Sequence, residues 1–287
     1  MSPGATFRWS VRREIWEHRG IYLAPLAIAA LVLVGFLIHA GQWAGKLQGI
    51  EALAPAKQVH AVILPFGLAA SVILLTAWIV GVFYCLDALN AERRDRSILF
   101  WKSMPVSDLT TVLAKAAIPM AVLPLAAIAV ALATQAVMLS VGSAVLAAKG
   151  MSPSIPWTYV PWMQTTLAML YGMAAHALWF APIFGWMLLV SAWARRAAFL
   201  WAFMPFFAAM ALEKVAFGTQ YVWLLVGYRI TGGMRAFKAD ATKDPITQFS
   251  QLDPLAFLAL PGLWLGLVFA VVCIVAAVRL RRRREPI

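Results

Sequence analysis

Long apolar runs alternate along the chain with short stretches rich in arginine and lysine. Residues 21–40 contain no Lys, Arg, Asp or Glu, and neither do residues 58–86, 116–148 and 150–194. A helix needs roughly 20 apolar residues to cross a bilayer core, and each of these runs suffices. Residues 151–157 at the start of the fourth read as a loop, so its helix is expected to begin near Trp162. Residues 197–212 supply a fifth span and 254–278 a sixth. The first run is longer than the apolar core of a signal peptide, roughly 7–15 residues, and it follows a polar lead with its own helical spacing. It reads as a retained span. The pattern therefore predicts an all-α integral membrane protein with six transmembrane helices, a single domain over residues 1–287.

Composition agrees. Hydrophobic residues make up 63% of the chain and charged residues 13%, about half the charged share of a soluble domain, and the mean hydropathy is +0.80. These values exclude a water-soluble globule, and disorder, which requires low hydrophobicity. Cys85 and Cys273 are too few for a disulfide scaffold or a four-cysteine metal site.

The net charge of +12 would suit a nucleic-acid partner in a polar chain. Here it reads as topology, because lysine and arginine accumulate on the cytoplasmic side of membrane proteins. With the N-terminus inside, the inner segments carry Arg8, Arg12, Arg13, Arg19, Arg93, Arg94, Arg96, Lys102, Lys115, Arg195, Arg196, Arg279 and residues 281–284, which is 16 of the 24 basic residues. The outer segments carry Lys46, Lys57, Lys149, Lys214, Arg229, Arg235, Lys238 and Lys243. Both termini are then cytoplasmic. Trp43, Trp157, Trp162 and Trp223 fall near the outer interface, and Trp101, Trp193 and Trp201 near the inner one.

Three connecting segments stand out. In the lead (residues 1–20), Phe7, Val11 and Ile15 form a helical stripe with Arg8, Arg12 and Arg19 beside it, and Trp9 and Trp16 lie on another side. Arginine and tryptophan next to a first span suit a helix lying in the inner interface. The inner connection, residues 87–108, is charged at first and aromatic in its middle, and Pro105 breaks it. Ser107 is placed to cap span three, with Asp108 at the positive end of that helix. The outer segment, residues 213–253, begins with 215–228, too apolar for a free loop and too short for a span. A helix that dips into the membrane or lies on its surface fits it.

The sequence holds no phosphate-binding G-x-x-x-x-G-K-[ST] loop, so nucleotide hydrolysis by that route is not expected of this chain. His39 and His60 lie near the outer ends of spans one and two. His176 lies well inside span four, where an ionisable residue is a functional candidate, though a neutral histidine bonded to its neighbours is the plainer reading. Glu213 is the one carboxylate near a membrane edge. Prolines recur within the spans, at Pro25, Pro65, Pro119, Pro124, Pro182, Pro205 and Pro261. The small-x-x-x-small pairs Gly41/Gly45 and Gly262/Gly266 permit close helix approach, within the chain or at a subunit contact.

The inner connection reads Glu92-Arg93-Arg94-Asp95-Arg96-Ser97-Ile98-Leu99-Phe100-Trp101-Lys102-Ser103-Met104-Pro105-Val106-Ser107, followed by Lys115. It resembles the E-R-x-x-[GS]-[ST]-[IL] … P-[VI]-S … K pattern of ABC-2 type permeases, the membrane subunits of ABC exporters. In topology the resemblance covers nearly the whole chain; in residues it is concentrated between Glu92 and Lys115. It departs at Arg96-Ser97, where many members carry Gly-Thr. The resemblance implies an interfacial connecting helix bearing Trp9, Arg12, Arg13 and Trp16. It also implies a coupling element that docks on a separate ATPase through Glu92, Arg93, Arg94, Arg96, Ser97, Phe100, Trp101, Pro105 and Ser107. By the same resemblance ATP and Mg belong to the partner ATPase, this chain has no catalytic residue, metal or cofactor of its own, and a second permease subunit, identical or a paralogue, completes the pathway. The remaining partner is membrane lipid, not nucleic acid, and the location is the bacterial inner membrane.

Two other classes compete. A self-contained secondary carrier or channel should show buried acids or paired half-helices, and a lipid-modifying membrane enzyme should show clustered His, Asp or Glu at an interface; neither pattern is evident. The apolar spans carry few polar anchors, among them Gln135, Ser140, Gln164, Thr165 and Thr166, which favours a lipid-like, amphipathic or peptide cargo over a small ion. Topology is directly testable. Reporter fusions after Pro55 and Lys243 should read as outside, and fusions after Ser103 and at the C-terminus as inside. A cytoplasmic signal at Lys243 would break the assignment.

Overall fold

A computed structural model describes residues 3–104, 106–238 and 249–283. The expectations placed on Pro105, Lys243 and Arg284 lie outside the described residues. Thirteen α-helices run through the rest, and the one bridge of extended backbone among the described residues pairs Phe237 with Leu252. The lead is α1 (Pro3–Glu17). Spans one and two are α2 (Gly20–Lys46) and α3 (Pro55–Ala88). The inner connection holds two short helices, α4 (Asn90–Arg94) and α5 (Ser97–Ser103). Span three is α6 (Asp108–Ala117) joined to α7 (Leu123–Ala148), and α8 (Ile155–Tyr159) precedes span four, α9 (Trp162–Trp193). Span five is α10 (Ala198–Phe217), followed by α11 (Tyr221–Thr231), α12 (Pro254–Leu258) and span six, α13 (Pro261–Arg283). Six of these segments are long and apolar enough to cross a membrane, so the chain is a multi-pass membrane protein.

Several sequence expectations are refined. Residues 151–157 were expected as loop, yet α8 (Ile155–Tyr159) begins inside them. Span five runs through Glu213 and Lys214 to Phe217, because Gly218, at φ 68°, makes the left-handed turn that stops it. Span six starts at Pro261 rather than Pro254, and Pro261 fits there because the first helical position needs no N–H donor. Inside span three, Pro119 cannot donate to the helix, and the chain widens into a π-helical turn over Ile118–Val122.

Two packing groups make the body. In one, α2, α3 and α7 surround an aromatic cluster of Phe36, Trp43 and Phe66. In the other, α9 lies along α13, and a Cβ on Gly185 would come within 3.2 Å of the Ala270 backbone. By contrast α10 buries only Ala202 and presents the rest of its apolar surface outward. The segment after α11 is folded into the bundle. Fully buried Trp179 of α9 donates from its indole N–H to the Arg229 carbonyl at 2.7 Å. The Arg229 guanidinium lies 4.6 Å over the same ring and donates to the carbonyls of Trp179 and Gly262 at 3.1 and 2.8 Å.

The Gly262/Gly266 pair therefore has an internal use. A Cβ on either residue would collide with Tyr228 or Arg229. Gly232 is tighter still, since its Cβ would stand 2.2 Å from the Trp179 ring. Overpacking of this kind costs about 1–3 kcal/mol. Gly232→Ala should thus lower the melting temperature in detergent, whereas Gly35→Ala, with nothing within 4 Å of the new methyl, should leave it unchanged.

Candidate functional site

At one end of the bundle five segments distant in sequence converge on buried charges. Glu14 of α1, Glu92 of α4, Lys115 of α6 and Arg281 of α13 are each less than 10% exposed. The Lys115 ammonium lies 3.0 Å from both Glu14 oxygens and 3.1 Å from Glu92 Oε1. Arg281 pairs with the other Glu92 oxygen and reaches Asp108 Oδ1 from its Nε at 3.0 Å. Arg13 pairs with Glu14 and stands 3.3 Å from Glu92 Oε1. The Tyr84 hydroxyl of α3 donates to Glu14 Oε2 at 2.7 Å. At the centre two carboxylates face two cations, so the buried charge is balanced, a condition for keeping ions out of water at tolerable cost.

The local sequence explains how each group arrives. Glu14 lies one turn from Ser10 and Val11 on the inward side of α1, while Trp9, Arg12 and Trp16 face outward, with the Arg12 guanidinium 5.2 and 4.5 Å from the two tryptophan rings. Ser107 caps α6 by accepting from the Thr110 N–H at 3.1 Å, and Asp108 follows in the first turn. Lys115 comes seven residues later, two turns along the helix, at the level where Glu14 and Glu92 meet.

Glu92 and Arg93 were expected among the charged contacts to a partner, yet both are buried in the fold. Arg93 donates to the Ser191 carbonyl at 3.0 Å and to the Ala194 carbonyl, at the C-terminal end of α9, where a cation suits the helix dipole. Asn90 adds a 2.7 Å bond to the same Ala194 carbonyl, and Ser191 Oγ accepts from the N–H groups of Leu89 and Asn90 at 3.0 Å. The root of the connection is thereby tied to α1, α6, α9 and α13.

Beyond the root the character changes. Arg94 and Arg96 are exposed. Arg96 adopts the left-handed conformation, φ 59°, that turns α4 into α5, a conformation that favours glycine because it lacks a Cβ. Ser97 opens α5 with its hydroxyl 3.4 Å from the Glu92 carbonyl. Ile98 is buried, whereas Leu99, Phe100 and Met104 are 59%, 58% and 42% exposed. Trp101 is half-buried, with the Arg13 guanidinium 3.9 Å over its ring. Arg13, assigned to the interfacial lead, thus touches both Glu92 and Trp101.

The other candidates lie elsewhere. His39 and His60 are exposed. His176 stacks on Phe180 at 4.2 Å. Glu213 is occupied in capping α11, accepting from the Val222 N–H at 2.8 Å and the Thr219 hydroxyl at 2.7 Å. Sequence reasoning missed Glu14, Tyr84, Lys115 and Arg281 as one site, and it missed Arg229 as an internal residue. The available signal for the latter was its position just before the Gly232-Gly233 pair. No family model, curated protein or solved structure matches the chain.

Burial alone would raise the Glu14 pKa, but Lys115, Arg13 and the Tyr84 hydroxyl outweigh it and hold it below the usual glutamate range. A depressed folded-state pKa adds stability that is complete above the unfolded pKa and is lost as pH falls through the folded value. Glu17, at the rim, is shifted upward by burial and opposes this. Glu14→Gln should therefore flatten the acid limb of a melting-temperature profile. Lys115→Met leaves two carboxylates facing each other and should cost about 3–5 kcal/mol. Arg94→Ala, on the surface, should stay within about 0.5 kcal/mol.

Proposed function

We propose that the chain is the permease subunit of an ATP-binding cassette exporter of the ABC-2 type, and that α4–α5 is the element through which a separate ATPase drives it. The observation that carries this reading is the contrast along one short segment. Its root is fixed by buried ion pairs to α1, α6 and α13 and by hydrogen bonds to α9, while its tip, Leu99, Phe100 and Met104, is apolar and exposed. Exposed aromatic and aliphatic side chains at the end of a rigid support are what a partner's cleft can grip, and Arg94 and Arg96 beside them supply a charged rim.

On this reading the tip end of the bundle is cytoplasmic, α1 lies in the inner interface with Trp9, Arg12 and Trp16 against lipid headgroups, and the membrane is the bacterial inner membrane. ATP and Mg reside on the partner ATPase. A second permease subunit, through which the two-fold pathway is completed, is expected at an outward apolar face.

Which residues should couple follows from burial. Truncating a desolvated anchor at an interface costs about 2 kcal/mol or more, against roughly 0.2–1 kcal/mol for a rim charge pair. The double variant Leu99→Ala/Phe100→Ala should lose co-purification with the ATPase and ATP-driven transport, with normal membrane insertion and melting temperature. Arg94→Ala and Arg96→Gly should have smaller effects. Glu92→Arg is expected instead to destabilise the chain itself. Unaltered complex recovery and transport in the double variant would remove the coupling role.

A further inference from the structure

A cavity of about 490 Å³ lies between α3, α7 and α9, with Phe237 in its lining and none of the ion-cluster residues. This is within the range of small-molecule pockets, roughly 300–1,000 Å³. No Lys, Arg, Asp or Glu lines it among the described residues, so it offers nothing to neutralise a charged guest. On α3 its edge is formed by Leu64, Gly67, Leu68 and Ser71, of which Leu64, Leu68 and Ser71 are exposed on the outside of the bundle. The cavity therefore borders the outward, lipid-facing side of α3.

Most polar groups in the wall are already engaged. Ser71 and Thr165 donate to the carbonyls of Gly67 and Pro161, one turn back on their own helices, at 2.8 and 3.2 Å. The Gln135 amide donates to the Phe66 carbonyl at 3.1 Å. Two groups are not engaged. The Trp78 indole N–H is buried without a hydrogen-bond partner, and the His176 ring has no hydrogen bond among the described residues. Both rings pack on Phe180, Trp78 edge-on at 5.9 Å and His176 stacked at 4.2 Å, and both residues line the cavity. An unmet indole donor in an apolar surround carries a desolvation cost that a guest's acceptor would remove.

We infer that this cavity binds an uncharged amphiphile taken from the bilayer, with its hydrogen-bond-accepting head (an ester or hydroxyl oxygen) on Trp78 and His176 and its hydrocarbon chain along the apolar wall. The volume holds about 16 water-sized groups, which fits a medium-chain acylglycerol. Calling such a ligand cargo rests on the exporter reading above; the binding itself does not.

The test uses the purified full chain in nanodiscs, without any ATPase, and a monodecanoylglycerol bearing a photoreactive group on its acyl chain. Saturable labelling is expected on peptides of α3 and α9, displaced by unlabelled monodecanoylglycerol and far less by decanoate. Trp78→Phe keeps a ring but removes the donor, and should weaken apparent affinity about three- to tenfold, the span of one hydrogen bond. Gly67→Leu has open space for its side chain and should abolish labelling by filling the cavity, whereas Gly35→Leu, also in open space, should not. Non-saturable labelling, labelling spread over all outward helices, or labelling unaffected by Gly67→Leu overturns the site. Labelling lost in Gly67→Leu but unchanged in Trp78→Phe overturns the placement of the head. If the probe binds but is not moved in a separate ATP-driven transport assay of the complex with its ATPase, the cargo assignment fails and the site stands.

Discussion

Lys115 between Glu14 and Glu92 is the interaction on which one whole end of the molecule depends. The desolvation of an ion in a low-dielectric interior costs several kcal/mol, and it is recovered only when partners and hydrogen bonds are all in place. Here they come from five separate segments. If α1 shifts, Glu14 leaves Lys115; if α13 shifts, Arg281 leaves Glu92 and Asp108 together. Hydrophobic packing does not impose that discipline, because apolar helices in lipid gain little from choosing one apolar neighbour over another. A buried network has one low-energy arrangement and many costly ones. It sets the mutual register of α1, α4, α6 and α13 where their apolar faces alone would leave it loose.

The opposite end uses another device for the same problem. Arg229 is fixed by backbone carbonyls and the Trp179 ring rather than by carboxylates. Among the described residues, carbonyl dipoles and an aromatic face compensate this cation without a counter-ion, at the cost of requiring close approach, which Gly232, Gly262 and Gly266 permit. The two ends are thus held by different chemistry. One is a mutual network among side chains, and the other is a single side chain inserted among backbones.

These differences explain what could be read from the sequence. The six spans were legible because length and apolarity are local properties: the run ending before Asp87 and the start at Trp162 need no knowledge of neighbours. The Ser107 cap was legible for the same reason. The ion cluster was not. Glu14, Glu92, Lys115 and Arg281 are spread across nearly the entire chain, and each basic residue had a sufficient explanation in the excess of positive charge on one side. Glu92 was expected at a partner contact, and its burial against Lys115 and Arg281 was not legible, since a sequence cannot tell a charge that meets a partner from one that meets a distant helix. Arg229 was counted with the outer segment because Gly262 and Gly266, which it packs against, lie on a distant span. The cavity depends on which hydroxyls bond backward to their own helix, a matter of packing alone.

The segment α4–α5 combines both kinds of residue within fewer than twenty positions, and the division of labour has a mechanical consequence. A force applied at Leu99 and Phe100 reaches α4 through a turn at Arg96 that is short and conformationally confined. From α4 it can pass into α9 through Arg93 and Asn90, into α13 through Arg281, and into α1 through Arg13, which grips Glu92 on one side and the Trp101 ring on the other. Moving the tip therefore means either breaking a buried charge network or moving several helices together. The first is costly in a medium without water, so the second is favoured. Exposed residues at the tip contribute little to the fold and are free to serve a partner, while buried residues at the root cannot serve a partner at all. On the proposed exporter reading, a helix pair built in this way would convert a partner's contact into a displacement of the bundle, because its charges point inward.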